Sequence, residues 1–369
     1  MKTLLGRTVY MAFDVKDALH PLVYQDILQV AQAPLPWEQM RNKTLLLTGA
    51  AGFIGYYLTV ALLIRNDLYG DAIKVIALVR NKQKAQKRFG VLLDREDIDL
   101  VVQDVCSDIQ IKQRADFVIH AASQASAYFF ENDPVGTIDA NLTGTYKVLD
   151  YARKCGVQSA LFISSLKVYG ALHNQKGFLS ETDIGSIDHT SYKNCYAQGK
   201  RASETLCACF HKQYGLPVKI ARPSYIYGPS SLDDDRVWAQ FIANVVRHEN
   251  ILLKSNGAAL RSFCYVSDTA TALFTILLKG QDVFPYNIAA AHSNTTIRGF
   301  AKAAVQAFPE RGLTLAFANK EDEKEPQRSV LAATPEILDN TRLLSLGWDA
   351  KVDLTQGIRN AIQIVELQN

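Results

Sequence analysis

The chain has 369 residues, 48% of them hydrophobic and 21% charged, a balance that excludes disordered and fibrous classes and supports a substantial core. Its formal net charge is only +3, and Lys and Arg are dispersed, so no electrostatic footprint for nucleic acid exists. The cysteines form no Cys-x-x-Cys pair and no histidine cluster accompanies them, which argues against a metal site and for a reduced, cytoplasmic environment.

The segment Met1-Lys-Thr-Leu-Leu-Gly-Arg7 lacks the apolar core of a secretory signal. The longest apolar stretches, such as Leu58–Ile64, fall far short of the ~20 residues that span a bilayer, so a soluble protein without a membrane partner is expected. Residues 1–41 read as an extension, with helical spacing over Leu22–Ala33 broken by Pro34-Leu-Pro36. The spacing then becomes rhythmic. Strands are predicted at Thr44–Thr48, Lys74–Val79, Leu100–Gln103, Phe117–His120, Ala160–Ile163 and Val218–Ala221. Helices are predicted at Gly55–Ile64, Val135–Lys154 and Tyr196–Tyr214. Short apolar runs alternating with helices indicate an α/β class with a parallel sheet covered on both faces. The rhythm weakens after residue 228, so residues 42–228 are read as a dinucleotide-binding unit and 229–369 as mainly a substrate-binding lobe interleaved with the sheet.

Between the first strand and its helix lies Thr48-Gly49-Ala-Ala-Gly52-Phe53-Ile54-Gly55. Gly49 permits a tight turn, Gly52 a close approach of backbone to a pyrophosphate, and Gly55 close packing of helix on strand. The Gly-x-x-Gly-x-x-Gly spacing resembles the short-chain dehydrogenase/reductase family in its extended form, which includes nucleotide-sugar epimerases and dehydratases. Further matches are Asp104-Val105, His120-Ala121-Ala122-Ser123, Asn141-Leu-Thr-Gly-Thr145, Arg222-Pro223-Ser-Tyr-Ile-Tyr-Gly-Pro229 and Arg261-Ser-Phe-Cys-Tyr-Val-Ser-Asp268. The resemblance spans residues 42–366 and implies a Rossmann-type doubly wound sheet holding NAD or NADP. It places the cofactor against the glycine turn, Phe53, Ile54, Asp104, Val105, Ala121–Ser123, Asn141, Pro223, Tyr196 and Lys200. NAD-preferring relatives carry an acid at the end of the second strand. Here the stretch is Ala77-Leu-Val-Arg80-Asn81, and Arg80 either holds a 2′-phosphate or belongs to a solvated basic loop.

Tyr196-Ala-Gln-Gly-Lys200 matches the family's Tyr-x-x-x-Lys motif, and residues four apart project from one helix face. A phenol is only about one part in a thousand ionised at pH 7, and moving its pKa there takes about 4 kcal/mol of preferential phenolate stabilisation. A lysine ammonium and a positive nicotinamide ring supply it. Tyr196 then exchanges a proton with a sugar hydroxyl while hydride moves. Ser165 aligns with the catalytic Ser/Thr, Ser164 being a weaker candidate, and Cys195 reads as a packed thiol. After this serine, 4,6-dehydratases carry Asp-Glu and nucleotide-glucuronate decarboxylases carry Ser-Glu, whereas this chain has Leu166-Lys167.

On the substrate side, Arg261 aligns with a diphosphate-binding arginine, Arg328 more loosely with a second, and Tyr225 stands where relatives have Asn. Asp268 is expected to cap a helix. The resemblance implies a nucleotide-diphosphate sugar as substrate and a homodimer through the helices around Val135 and Tyr196. A 4-epimerase moving hydride at sugar C4 is the leading expectation. Open alternatives are an NADPH-dependent 4-keto-sugar reductase, a dehydratase or decarboxylase with an acid from elsewhere, and a non-catalytic dinucleotide sensor.

Overall fold

The computed structural model describes residues 13–172, 177–319 and 336–368. Two short helices, α1 (Val15–Ala18) and α2 (Pro21–Ala31), precede β1 (Thr44–Thr48). The chain continues through α3 (Phe53–Tyr69), β2 (Lys74–Val79), α4 (Lys82–Phe89), β3 (Ile98–Val102) and β4 (Phe117–His120). Next come α5 (Ala127–Asn132), α6 (Pro134–Cys155), β5 (Ser159–Ile163), α7 (Cys195–Tyr214), β6 (Val218–Pro223) and β7 (Tyr225–Tyr227). Then follow α8 (Val237–Val246), β8 (Ile251–Leu253), β9 (Leu260–Arg261), β10 (Phe263–Tyr265), α9 (Val266–Lys279), β11 (Pro285–Ile288) and, last, a C-terminal helix Leu354–Leu367.

Seven strands form one parallel sheet in the order β11-β6-β5-β4-β1-β2-β3. The side-chain period of two sorts each strand onto two faces. Leu45, Leu47, Val75, Ala77, Phe117 and Ile119 join one core cluster, with residues of α2, α3 and α9. Leu46, Ile76, Leu78, Val118, Ala160 and Phe162 join the other, against α6 and α7. Strand order reverses between β1 and β4, which opens a crevice at their carboxyl ends.

The doubly wound parallel sheet expected from the sequence is present. Helix α3 is longer than its apolar pattern indicated and stops where Gly70 adopts a left-handed conformation, φ 62°. Helix α4 was not anticipated, because Ala85 and Phe89 alone carry its buried face and Lys, Gln and Arg fill the rest. Asp268 does not cap a helix. It lies inside the first turn of α9, and its carboxylate accepts the backbone N–H groups of Lys351 and Val352, 3.1 and 2.9 Å away. No helix among the described residues is long and apolar enough to cross a membrane.

Candidate active site

The crevice at the reversal point is floored by the glycine turn. Gly49 has φ +71°, and a Cβ there would meet the Ala122 backbone at 2.9 Å. A Cβ on Gly55 would lie 2.3 Å from the Gly49 carbonyl, so this glycine serves the packing of α3 on the turn. No side chain caps the N-terminus of α3 at Gly52, which leaves its positive dipole end facing the crevice. These features fit a dinucleotide pyrophosphate. The groove is lined by Gly49, Gly52, Arg80, Asp104, Val105 and Ala121–Ser123 from the sequence expectations. Asn81, Lys84, Gln103, Gln124 and Ala140 line it as well, and sequence reasoning missed them. Lys84 had a signal, since it stands four residues after Arg80 on a helix that Asn81 caps by accepting its N–H at 2.9 Å. Phe53, Ile54, Gly55, Asn141, Tyr196, Lys200 and Pro223, expected at the cofactor from the sequence, are not among the lining residues. Phe53 instead packs on Trp238 with ring centroids 5.7 Å apart.

His120 supports this wall from inside. Its ring contacts the hydroxyls of Thr48 at 2.7 Å and Thr145 at 3.2 Å, and burial lowers its pKa to about 3, which keeps it neutral. Asn141 accepts a hydrogen bond from Ser123 at 3.1 Å and donates to the Thr137 carbonyl at 2.8 Å. Gly199 lets α7 approach α6 there, for a Cβ would sit 2.9 Å from that of Asn141.

Tyr196 and Lys200 share one face of α7. The Lys200 ammonium is 5.7 Å from the Tyr196 ring centre, 4.9 Å from that of Phe162, and donates to the Ile163 carbonyl at 2.8 Å. Burial lowers Lys200 to about 7. Burial raises the Tyr196 phenol, while a hydrogen bond with Ser165 and the charge of Lys167 pull it back. Ser164 is committed elsewhere, donating to Glu204 at 2.6 Å, and Glu204 is clamped by Arg222 through bonds of 2.9 and 2.7 Å. Cys195 is buried at 7% exposure.

Beside Ser165, which accepts the Lys167 backbone N–H at 3.2 Å, Lys167, Tyr225, Arg261 and Glu336 meet. The Lys167 ammonium lies 3.1 Å from the Tyr225 hydroxyl and 3.2 Å from the Glu336 carboxylate. Tyr225 also donates to that carboxylate, and Arg261 Nε lies 3.2 Å from it. Burial pushes the Glu336 carboxyl up, but Lys167, Tyr225 and Arg261 outweigh it and hold it below its ordinary value. Glu336 carried no sequence signal, being 169 residues from Lys167. Arg328 lies outside the described residues. Among the described residues, no group of three or more His, Cys, Asp or Glu could hold a metal ion.

A glycine turn at the reversal point of a parallel sheet, facing a Tyr-x-x-x-Lys helix, defines an extended short-chain dehydrogenase/reductase. More particularly, residues 45–289 match the NAD dependent epimerase/dehydratase family, and the chain belongs to it. It is 31% identical over 320 residues to UDP-glucuronic acid decarboxylase 3 of Arabidopsis thaliana, covering 86% of this chain and 87% of that protein. It is 30% identical to UDP-glucuronic acid decarboxylase 1 of Xenopus tropicalis, covering 87% of this chain and 72% of the relative. The UDP-glucose 4-epimerase of Thermotoga maritima has the same fold, with TM-score 0.70, 24% identity and coverage of 87% and 97%. So has the UDP-N-acetylglucosamine 4-epimerase of Methanobrevibacter ruminantium M1, with TM-score 0.74, 20% identity and coverage of 89% and 100%.

Proposed function

We propose that the protein is a nucleotide-diphosphate-sugar 4-epimerase that oxidises C4 and reduces the resulting ketone from its other face. One observation carries the reading. Tyr196, Lys200 and Ser165 form a complete set for proton exchange at one hydroxyl, while the turn after Ser165 holds Leu166 and Lys167 and no carboxylate to assist elimination.

Ser165 holds the C4 oxygen and Tyr196 removes its proton. Bound NAD or NADP supplies the hydride acceptor and donor. Burial makes both a lysine ammonium and a phenolate costly when alone, so Lys200 and Tyr196 relieve each other's burial when phenolate forms beside ammonium. The expected rate rises with pH as the Tyr196 proton is lost. The resemblance assigns the diphosphate to Arg261, whose guanidinium lies 5.6 Å from the Tyr225 ring centre.

Decarboxylation of a nucleotide uronate is the second reading, supported by the 31% identity with a protein named for that reaction. Both begin with C4 oxidation. The test incubates the protein with UDP-glucose, UDP-galactose and UDP-glucuronic acid, follows products by proton NMR, and identifies nicotinamide released on denaturation by mass spectrometry. Interconversion of the two hexoses with no net nicotinamide consumption is expected. Carbon dioxide release would establish the decarboxylase instead, and stoichiometric NADPH oxidation on addition of a UDP-4-keto-hexose, without hexose interconversion, a ketoreductase. Tyr196→Phe is expected to lower kcat by about 10²–10⁴-fold while the nucleotide sugar still binds.

A further inference from the structure

Tyr196, Lys200 and Glu204 follow one another at intervals of four along α7, so one helix face carries all three. That face meets three consecutive residues at the end of β5. The Lys200 ammonium donates to the Ile163 carbonyl at 2.8 Å, the Ser164 hydroxyl donates to the Glu204 carboxylate at 2.6 Å, and Tyr196 is hydrogen-bonded to Ser165. The chemistry described so far leaves Glu204 without a role, yet Glu204 is firmly held. Arg222 in β6 donates to both of its oxygens, at 2.9 and 2.7 Å, and the two side chains are 13% and 12% exposed. Arg222 is fixed in turn by donating to the Tyr169 hydroxyl at 3.2 Å and the Glu181 carbonyl at 2.9 Å.

We propose that Glu204 is a positioning residue for hydride transfer, whose carboxylate balances the Lys200 ammonium and ties the serine turn to the helix that carries Tyr196. The inference rests on the Tyr196–Lys200 chemistry of the proposed function and extends it by one residue. A buried ammonium is costly without a compensating charge, and the Ile163 carbonyl and the Phe162 ring carry none. Burial lowers Lys200 to about 7, and the Glu204 charge is the larger of two influences opposing that fall. Cys207 is the other, and burial pushes its own thiol well up, so it stays uncharged. His120 faces Lys200 as a neutral ring, Arg201 and Arg222 face Glu204, and Lys167 faces Tyr196. Phenolate beside ammonium and phenol beside amine hold the same number of protons, but only the first accepts the C4 proton. Glu204 favours the first, because its charge stabilises the ammonium. Its bond to Ser164 acts on geometry, since Ser165 follows directly and must hold its place beside the Tyr196 oxygen.

The experiment follows Lys200 in the cofactor-loaded protein by NMR of ¹³Cε-labelled lysine, its signal identified by its loss in Lys200→Arg. In parallel, kcat and KM are measured for UDP-glucose, UDP-galactose and UDP-glucuronic acid. Glu204→Gln is expected to lower the Lys200 midpoint by about one pH unit or more. It is also expected to lower kcat by about tenfold or more, with KM nearly unchanged. Ser164→Ala is expected to lower kcat and leave the midpoint in place, because the charge remains. A folded Glu204→Gln with an unchanged midpoint or an unchanged kcat overturns the proposal. If that variant does not fold, Glu204→Gln with Arg222→Met leaves no unpaired buried charge, and the same two readouts decide. A parent protein that turns over none of the three sugars counts against the nucleotide-sugar reading alone, and the Lys200 midpoint still decides the role of Glu204.

Discussion

Arg80 shows how a single residue acquires meaning from its surroundings. In the sequence it was either a phosphate ligand or part of a solvated loop. The structure puts it in the dinucleotide groove with Lys84. Partial desolvation, followed by the charges of Arg88, Arg236 and Arg80, presses the Lys84 ammonium below its usual value, with only Asp234 opposing. An anion placed there relieves that repulsion, and a 2′-phosphate is such an anion. The protein is therefore expected to bind NADPH as well as NADH. Arg80→Ala should weaken NADPH about tenfold while leaving NADH nearly unchanged, read by fluorescence titration. Equal losses for both would make Arg80 a general electrostatic contributor. Tyr196 and Lys200 were legible as a pair because helical spacing alone puts them on one face. Glu336 was illegible, since nothing in a sequence says which distant carboxylate will reach a given lysine.

At the scale of elements, α2 is fastened to α3 and to the end of β10 by a buried carboxylate. Asp26 accepts from the Tyr57 hydroxyl at 2.5 Å and from the Tyr265 hydroxyl at 2.9 Å. Burial raises its pKa from 3.8 to about 6, against these two hydrogen bonds. The folded protein thus holds this proton more tightly than the unfolded chain does. The stability it contributes is complete below about pH 3.8 and is lost as pH rises through about 6. Asp26→Asn keeps an acceptor for both tyrosines without the charge. It is expected to stabilise the protein at pH 7, by up to about 3 kcal/mol at ~1.36 kcal/mol per pKa unit, and to change little at pH 4. Calorimetric Tm values at the two pH values test this, and an unchanged or lower Tm at pH 7 would show that Asp26 serves as a needed anion. The helical spacing of α2 was visible in the sequence. Its attachment was not, because Tyr57 and Tyr265 are separated by most of the sheet-forming part of the chain, β2 to β6.

At the scale of the whole molecule, α6 and α7 pack together over one sheet face and leave apolar side chains outside. Val135 is 76% exposed and Tyr146 48% exposed. The resemblance implies pairing of two copies through these helices, and the exposed residues are in keeping with it. A homodimer is expected by light scattering, with Val135→Glu and Tyr146→Glu together shifting the mass toward one chain. A monomeric parent protein would refute the expectation.

The sequence by itself determined six of the seven strands of the sheet. Strands β1, β2 and β4 have the bounds expected from the sequence, because a strand buried on both faces is built around an apolar run. It also determined the glycine turn, where Gly49 alone satisfies a positive φ against the Ala122 backbone. What only the tertiary structure decided was every contact between distant segments. The seventh strand, Pro285–Ile288, opens on proline and carries Asn287, so no apolar run announces it, and it is placed by pairing with β6. The ion pair beside Ser165 depends likewise on Glu336 arriving beside Lys167. Periodicity and turn chemistry are local and survive in one dimension, whereas charge compensation is a property of what the fold brings within a few ångströms.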